Sequence, residues 1–278
     1  MIKIISKILK KLLPKSYYQQ IKDIYDTLKY DKIGNYDLSK DLDYNENLLI
    51  SLKFDIKEIK SRLNSLNYSY QDRSLSWHYH LFAGLKNYFK NKSINILEIG
   101  TFTADFSNFI SKIYDDCQIT TIDLDNSDQK FINSYGREEK KNLDKFLELR
   151  KKNLMRKNIN FIKLNSINIK KHFYGKKFDL IWIDGDHLNP QVTIDIINSL
   201  DLLNNDGIIC TDDVIMDINF KNNKYVSNEG FFTLKHLEDN GILKNYYLIK
   251  RISKANSHLK KYISVSAFKD NFKFMMEK

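Results

Sequence analysis

Asp184, His187, Asp212 and Asp213 are the residues whose types and spacing point most directly to chemistry. They lie in Phe178-Asp-Leu-Ile-Trp-Ile-Asp-Gly-Asp-His187 and in Gly207-Ile-Ile-Cys-Thr-Asp-Asp-Val-Ile215. In each segment a short apolar run ends abruptly in acids. Such runs read as buried parallel strands, and acids at their C-terminal ends sit where open α/β sheets bind ligands. Three carboxylates in one pocket repel each other unless something positive joins them, and a divalent cation is the usual answer. The sequence therefore predicts Asp184, Asp212 and Asp213 as metal ligands, with Mg²⁺ suited to an all-oxygen set. His187, titrating near neutrality, is the candidate proton acceptor. Asp186 reads as a turn or helix cap, or as a residue that orients His187. The alternative for the whole cluster is a set of turn-forming aspartates that bind nothing.

These residues need a sheet to hold them, and the pattern supplies one. Strands are predicted at 94–99, 118–122, 159–164, 178–183, 207–211, 245–252 and 261–268. Helices are predicted at 104–114, 137–157, 190–202 and 229–240, the last closed by Gly241. Strand–helix alternation implies an α/β fold with helices on both faces of a mostly parallel, seven-stranded, Rossmann-like doubly wound sheet. The last two strands imply an antiparallel C-terminal edge.

A second group of residues marks a nucleotide-type pocket. Ile96-Leu-Glu-Ile-Gly-Thr-Phe-Thr-Ala-Asp-Phe-Ser107 places Glu98, Gly100, Thr101 and Phe102 at a strand-to-helix turn, where a glycine lets a ligand approach backbone N–H groups. Asp123 ends the next strand, where a carboxylate suits a pair of ribose hydroxyls; Asp125 is the alternative. Asn165 and Ser166 end the third strand, placed to meet an adenine edge. The run lacks G-x-G-x-x-G, with Ala104 where a second glycine is expected, and the chain has no Walker A segment.

Together these motifs resemble class I S-adenosylmethionine-dependent methyltransferases over about residues 76–268. Glu98-x-Gly100 resembles the first motif, Asp123 the ribose-binding acid, and Asn165-Ser166 the adenine-side turn. Asp184, Asp212 and Asp213 resemble the metal set of the divalent-metal-dependent O-methyltransferases, the catechol and macrolide-sugar enzymes among them. His187 stands where that group carries a basic residue. The resemblance implies S-adenosyl-L-methionine as cofactor, with Glu98, Gly100, Thr101, Phe102, Asp123, Asn165, Ser166 and Asp184 around it. It also implies a divalent metal, and methyl transfer to a hydroxyl of a small molecule or saccharide. A metal-independent methyltransferase and an inactive cofactor-binding module are the alternatives. Fold analogy does not supply the acceptor, whose walls are expected from residues 1–92 and the loop at 216–228.

Residues 1–75 read as a helical extension separate from the domain at 76–278. Residues 1–13 form a basic amphipathic pattern stopped at Pro14, suited to an anionic membrane surface but read here as a helix docking on its own domain or a partner. Leu49, Leu52, Ile56, Ile59, Leu63 and Leu66 follow a heptad spacing over less than three heptads, which predicts a helix that lies on the domain or makes a two-chain contact. His78 and His80 share a helix with Trp77, Leu81 and Phe82 and read as packing residues. The net charge of +10 invites a nucleic-acid reading. Only six of the 45 basic residues are Arg and they are scattered, which argues against it. No apolar run approaches a membrane span, the N-terminus lacks a cleavage site, and Cys117 and Cys210 read as reduced structural thiols; the expected location is the cytoplasm.

Overall fold

A computed structural model describes residues 37–271, apart from 73–74, 91, 115, 224 and 254–258. The expected helix at 1–13 lies outside the described residues. The sheet is built from β1 (Ile94–Ile99), β2 (Cys117–Asp123), β3 (Ile159–Lys163), β4 (Phe178–Ile183), β5 (Leu203–Val214), β6 (Leu243–Ile249) and β7 (Tyr262–Phe268). Their order is β3-β2-β1-β4-β5-β7-β6. The expected seven-stranded sheet is present. All pairings from β3 to β5 are parallel, and β7 runs antiparallel between β5 and β6. β7 is thus the antiparallel member, and the true edge strand β6 runs with the others.

Alternation along the central strands gives the sheet two buried faces. Ile96, Leu180, Trp182, Ile208 and Cys210 point into one apolar cluster, while Leu97, Ile99, Ile181, Ile183 and Ile209 point into the other. The first cluster is capped by α1 (Leu38–Ser51), α2 (Ile56–Ser65), α3 (His78–Leu85) and α4 (Asp105–Ile113). The second is capped by α8 (Gln191–Leu202) and α9 (Glu229–Asp239). Between these lie α5 (Gln129–Ile132), α6 (Lys140–Asn153) and α7 (Ile169–His172). Burying apolar side chains on both faces is the main favourable term, at about 25 cal/mol per Å² removed from water.

Two expectations for the N-terminal segment are corrected. The heptad pattern is not one helix. It breaks at Lys53, whose φ is +61°, and restarts at Asp55, whose carboxylate accepts from the Lys57 and Glu58 N–H groups at 2.7 and 3.3 Å. A side-chain cap and a left-handed residue outweigh leucine spacing. Nor are its described residues, from 37 onward, separate from the domain. Leu49, Leu52, Ile59 and Leu63 share the core with Phe82, Ile96 and Trp182. A Cβ on Gly84 would stand 2.7 Å from the Phe54 ring, so α3 and the 52–55 turn are in direct contact.

The segment also covers the sheet edge. Buried Asn45 donates to the Ile249 carbonyl at 2.9 Å and accepts from the Ile249 N–H at 2.8 Å. It thereby satisfies edge-strand groups that would otherwise pair with another chain. Cys117 and Cys210 are both buried, and Cys117 Sγ accepts from Asn158 Nδ2 at 3.3 Å. No helix among the described residues is long and apolar enough to cross a membrane.

Candidate functional site

The parallel register brings the key acids together. Ile99 pairs with Ile183, and Ile183 with Thr211. The next residues, Asp184 and Asp212, therefore leave the sheet side by side. Asp213 would point to the opposite face if β5 stayed regular. Its φ of +53° and a register shift between Thr211 and Val214 break that alternation. Asp is among the few residues that tolerate this conformation, and the irregularity turns its carboxylate into the same cluster as Asp212.

His187 closes the group. Its Nε2 lies 3.4 Å from Asp184 Oδ1 and 3.7 Å from Asp213 Oδ2. Burial works against its charged form, but the bond to Asp184 and the charges of Asp213 and Asp212 outweigh it, so its pKa is raised. Burial and the charge of Asp212 raise the Asp184 carboxyl. The His187 carbonyl accepts from Ser227 N and Oγ at 3.2 and 2.9 Å, which ties the loop after β5 to the site. Asp186 is a turn acid, accepting from the Leu188 N–H at 3.0 Å.

The positive charge in this cluster comes from lysines that the sequence reading did not single out. Lys250 Nζ bonds Asp212 Oδ2 and sits 2.6 Å from Asp213 Oδ1. Lys261 Nζ sits 2.7 Å from Asp213 Oδ2. β6 and β7 pair Ile249 with Tyr262, so positions 250 and 261 face each other at the mouth of the pair, with Lys250 N bonded to the Lys261 carbonyl at 2.8 Å. Burial opposes ionisation of Asp213, but Lys250, His187 and Lys261 hold it below the usual carboxylate range. Burial likewise opposes the Lys250 ammonium, and the three aspartates more than offset it, so its pKa is raised.

The expected metal site does not fit this arrangement. Asp212 Oδ2 and both Asp213 oxygens are held by ammonium groups, and Asp184 Oδ1 faces His187. One oxygen, Asp212 Oδ1, is buried without a partner among the described residues, which alone favours a cation. A Mg²⁺ shell needs near-octahedral oxygen donors, and among the described residues no group of His, Cys, Asp and Glu is arranged to hold a metal.

On the other side of β1, the predicted cofactor residues divide. Asp123 ends β2 and accepts from the Phe102 N–H at 3.1 Å, the Leu124 N–H at 2.8 Å and Arg150 at 3.4 Å. Burial raises its pKa against the lowering by those donors. A carboxylate offers about four acceptor positions. Three are taken, by the Phe102 and Arg150 donors at Oδ2 and the Leu124 N–H at Oδ1. Asp125 is exposed, accepts from Ser127 and pairs with Lys163 at 3.0 Å. These partners lower its pKa to about 2 and make it a turn residue.

Glu98 is corrected from a cofactor contact to a support. It shares a strand face with Ile96, is 1% exposed, and accepts from Ser107 and from Thr121 Oγ1 at 2.6 Å. Burial raises its pKa to about 8. The Thr101 hydroxyl is likewise buried, 2.6 Å from Thr121 Oγ1. Gly100, at φ +100°, is required for a different reason than expected. A Cβ there would stand 2.2 Å from the Asp184 carbonyl oxygen, so it is the close approach of the β1 and β4 ends that demands glycine. Phe102 keeps an exposed ring, 5.1 Å from that of Tyr135. Asn165 Oδ1 accepts from the Ile167 N–H at 3.1 Å, and Ser166 Oγ from Gln191 at 2.7 Å.

The histidines of α3 pack as expected. His80 stacks on Trp77 with ring centroids 4.4 Å apart, and burial holds neutral His78 against Phe106. A cavity of about 410 Å³ opens beside the cluster, lined by Tyr135, His187, Asp213, Tyr225, Lys250 and Lys261 among others. The sequence placed the acceptor walls at 1–92 and 216–228. Tyr225 fits the second; Tyr135, Lys250 and Lys261 were missed.

Residues 97–214 match the family described as "Methyltransferase domain". No curated protein matches the sequence. Among solved structures, the chain is similar to cofactor-bound Rv0187 from MTB, with 13% identity, 89% of this chain and 96% of that one covered, and a TM-score of 0.50. It is also similar to the O-methyltransferase TomG from Streptomyces achromogenes in complex with SAM (11% identity, 88% and 95% covered, TM-score 0.47). A third is the O-methyltransferase from Bacillus cereus in complex with SAH (13% identity, 89% and 97% covered, TM-score 0.45).

Proposed function

We propose that this chain, whose residues 97–214 match a methyltransferase-domain family, transfers a methyl group from S-adenosylmethionine to a hydroxyl of a small-molecule or saccharide acceptor. The observation that carries this reading is the placement of His187 and Asp213 on a cavity at the C-terminal ends of β4 and β5, with Asp184 beside His187. Gly100 lets the β1 turn, which carries Phe102, pack directly against that end of β4.

The residues beyond β1 to β3 suit the cofactor. Asp123 Oδ1 has an acceptor position for one ribose hydroxyl, and the exposed Phe102 ring offers an apolar face. Asn165 spends its carbonyl on the local turn, which leaves its amide nitrogen as the donor for an adenine edge. When bound, S-adenosylmethionine supplies an electrophilic methyl group.

The chain's own residues must orient the acceptor and take its proton. His187 is the proton acceptor. Asp184, beside Nε2, fixes the ring and stabilises the imidazolium that forms. Because His187 titrates above the ordinary 6.5, its neutral, proton-accepting form grows as pH rises through that raised value. The metal implied by the resemblance has no step here, since two of its expected ligands, Asp212 and Asp213, are engaged by lysines.

A thermal-shift series with S-adenosylhomocysteine tests the cofactor half; ligand binding to the native state raises the melting temperature. Transfer of labelled methyl from S-adenosylmethionine to a panel of hydroxyl-bearing acceptors tests the other half. A melting temperature indifferent to the nucleoside would remove the proposal.

A further inference from the structure

We infer that the ammonium of Lys250, held between Asp212 and Asp213, is the resident cation of this site, standing in place of a divalent metal and facing the acceptor oxygen. The inference rests on the O-methyltransferase reading and names the group that replaces the metal in it. Its basis is geometric. Lys250 Nζ contacts one carboxylate oxygen of each aspartate, and Lys261 takes the remaining oxygen of Asp213. Both lysines are fixed by backbone pairing, not merely by side-chain reach. Lys250 N bonds the Lys261 carbonyl, and the Lys250 carbonyl accepts from the Trp77 N–H, each at 2.8 Å. The side chain of Lys250 is only 14% exposed, so its charge is little screened.

Charge balance points the same way. Three aspartates against two ammonium groups leave one negative charge beside a neutral His187. A divalent ion added to that set would be uncompensated unless Lys250 left. Lys250 is also placed to act. An ammonium has three donors; two go to Asp212 and Asp213, and Lys250 lines the cavity, where the third can meet an oxygen. As the acceptor hydroxyl gives its proton to His187 and its oxygen forms the bond to the methyl carbon, the carbon–sulfur pair leaves with sulfur. The partial negative charge on oxygen meanwhile faces Lys250, a preorganised positive group in a partly desolvated site.

The test is Mn²⁺ binding to the full chain, followed by EPR and thermal melts, with S-adenosylhomocysteine present and absent. The wild type is expected to show no saturable Mn²⁺ binding and no shift at millimolar Mn²⁺. In Lys250→Met the freed acids should bind Mn²⁺ and raise the melting temperature by about 3 °C once the ion is well above its dissociation constant. If Lys250→Met does not fold, Lys250→Gln, which retains hydrogen bonding without charge, takes its place. Saturable Mn²⁺ in the wild type would overturn the inference. Silence in both proteins would also overturn it, because the acids would then never have formed a cation site. Failure of S-adenosylhomocysteine to bind the wild type sinks the methyltransferase reading instead, so the two claims fail separately.

Discussion

Two partly buried acids at the same edge of the sheet, Asp123 at the end of β2 and Asp213 near the end of β5, meet basic residues in opposite ways. Asp123 is approached by Arg150 at 3.4 Å, and burial prevails, so its carboxyl is held above its ordinary range. Asp213 is gripped by Lys250 and Lys261 at 2.6 and 2.7 Å, and the cations prevail. Arg150 divides its guanidinium between Asp123, Asn126 and the faces of Phe131, Phe146 and Phe161, and spends little on the acid. Lys250 divides its ammonium only between two carboxylates among the described residues, Asp212 and Asp213. The contrast separates two tasks on one sheet. The Asp123 side keeps an acceptor position open for a neutral hydroxyl group. The Asp213 side is a closed charge network suited to stabilising charge that develops during reaction.

The largest expected effect falls on the reactive side. His187→Ala should lower methyl transfer about 100- to 10,000-fold, the usual worth of a positioned proton acceptor, with S-adenosylhomocysteine affinity unchanged by calorimetry. A comparable loss of nucleoside affinity would erase the division between the two sides. The wild-type rate should climb with pH through a value above 6.5.

Stability should separate the acids next. Asp213→Asn breaks a buried ion network and is expected to cost about 3 kcal/mol in denaturant melts. Asp123→Asn keeps an acceptor and should cost about 1 kcal/mol. Equal costs would contradict the reading of the two acids. Asp123→Asn should instead weaken S-adenosylhomocysteine about tenfold, the worth of one hydrogen bond to a charged group.

The smallest effect concerns Glu98. Its folded pKa of about 8 lies above the ordinary 4.5. Between those values the folded state holds a proton that the unfolded chain has lost, so stability falls as pH rises across that interval. Glu98→Gln can accept from the same Ser107 and Thr121 hydroxyls and should flatten this slope in melts taken across it. A slope unchanged by the substitution would assign it to another group.

The strands that position the site were legible because buried parallel strands announce themselves as apolar runs; β1 and β4 fall where the sequence put them. The meeting of Asp184 and Asp212 was legible for the same reason, since both follow paired positions on neighbouring strands, whereas Asp213 joins them only through the irregularity at its positive φ. What sits among them was not. Lys250 and Lys261 reach the cluster through the antiparallel pairing of β6 and β7, and register between distant strands is a tertiary fact. Two lysines in a lysine-rich chain carry no signal of their own. Glu98 was misjudged although a period of two placed it with Ile96 on the buried face, beneath Ser107 of α4. The break at Lys53 was hidden because leucine spacing says nothing about a single backbone angle.

The most direct test of the central claim is calorimetric titration of the full chain with S-adenosylhomocysteine. Saturable binding at one site per chain, weakened by Asp123→Asn and indifferent to His187→Ala, is the predicted result. Heat that never saturates, or binding that Asp123→Asn leaves untouched, would contradict it.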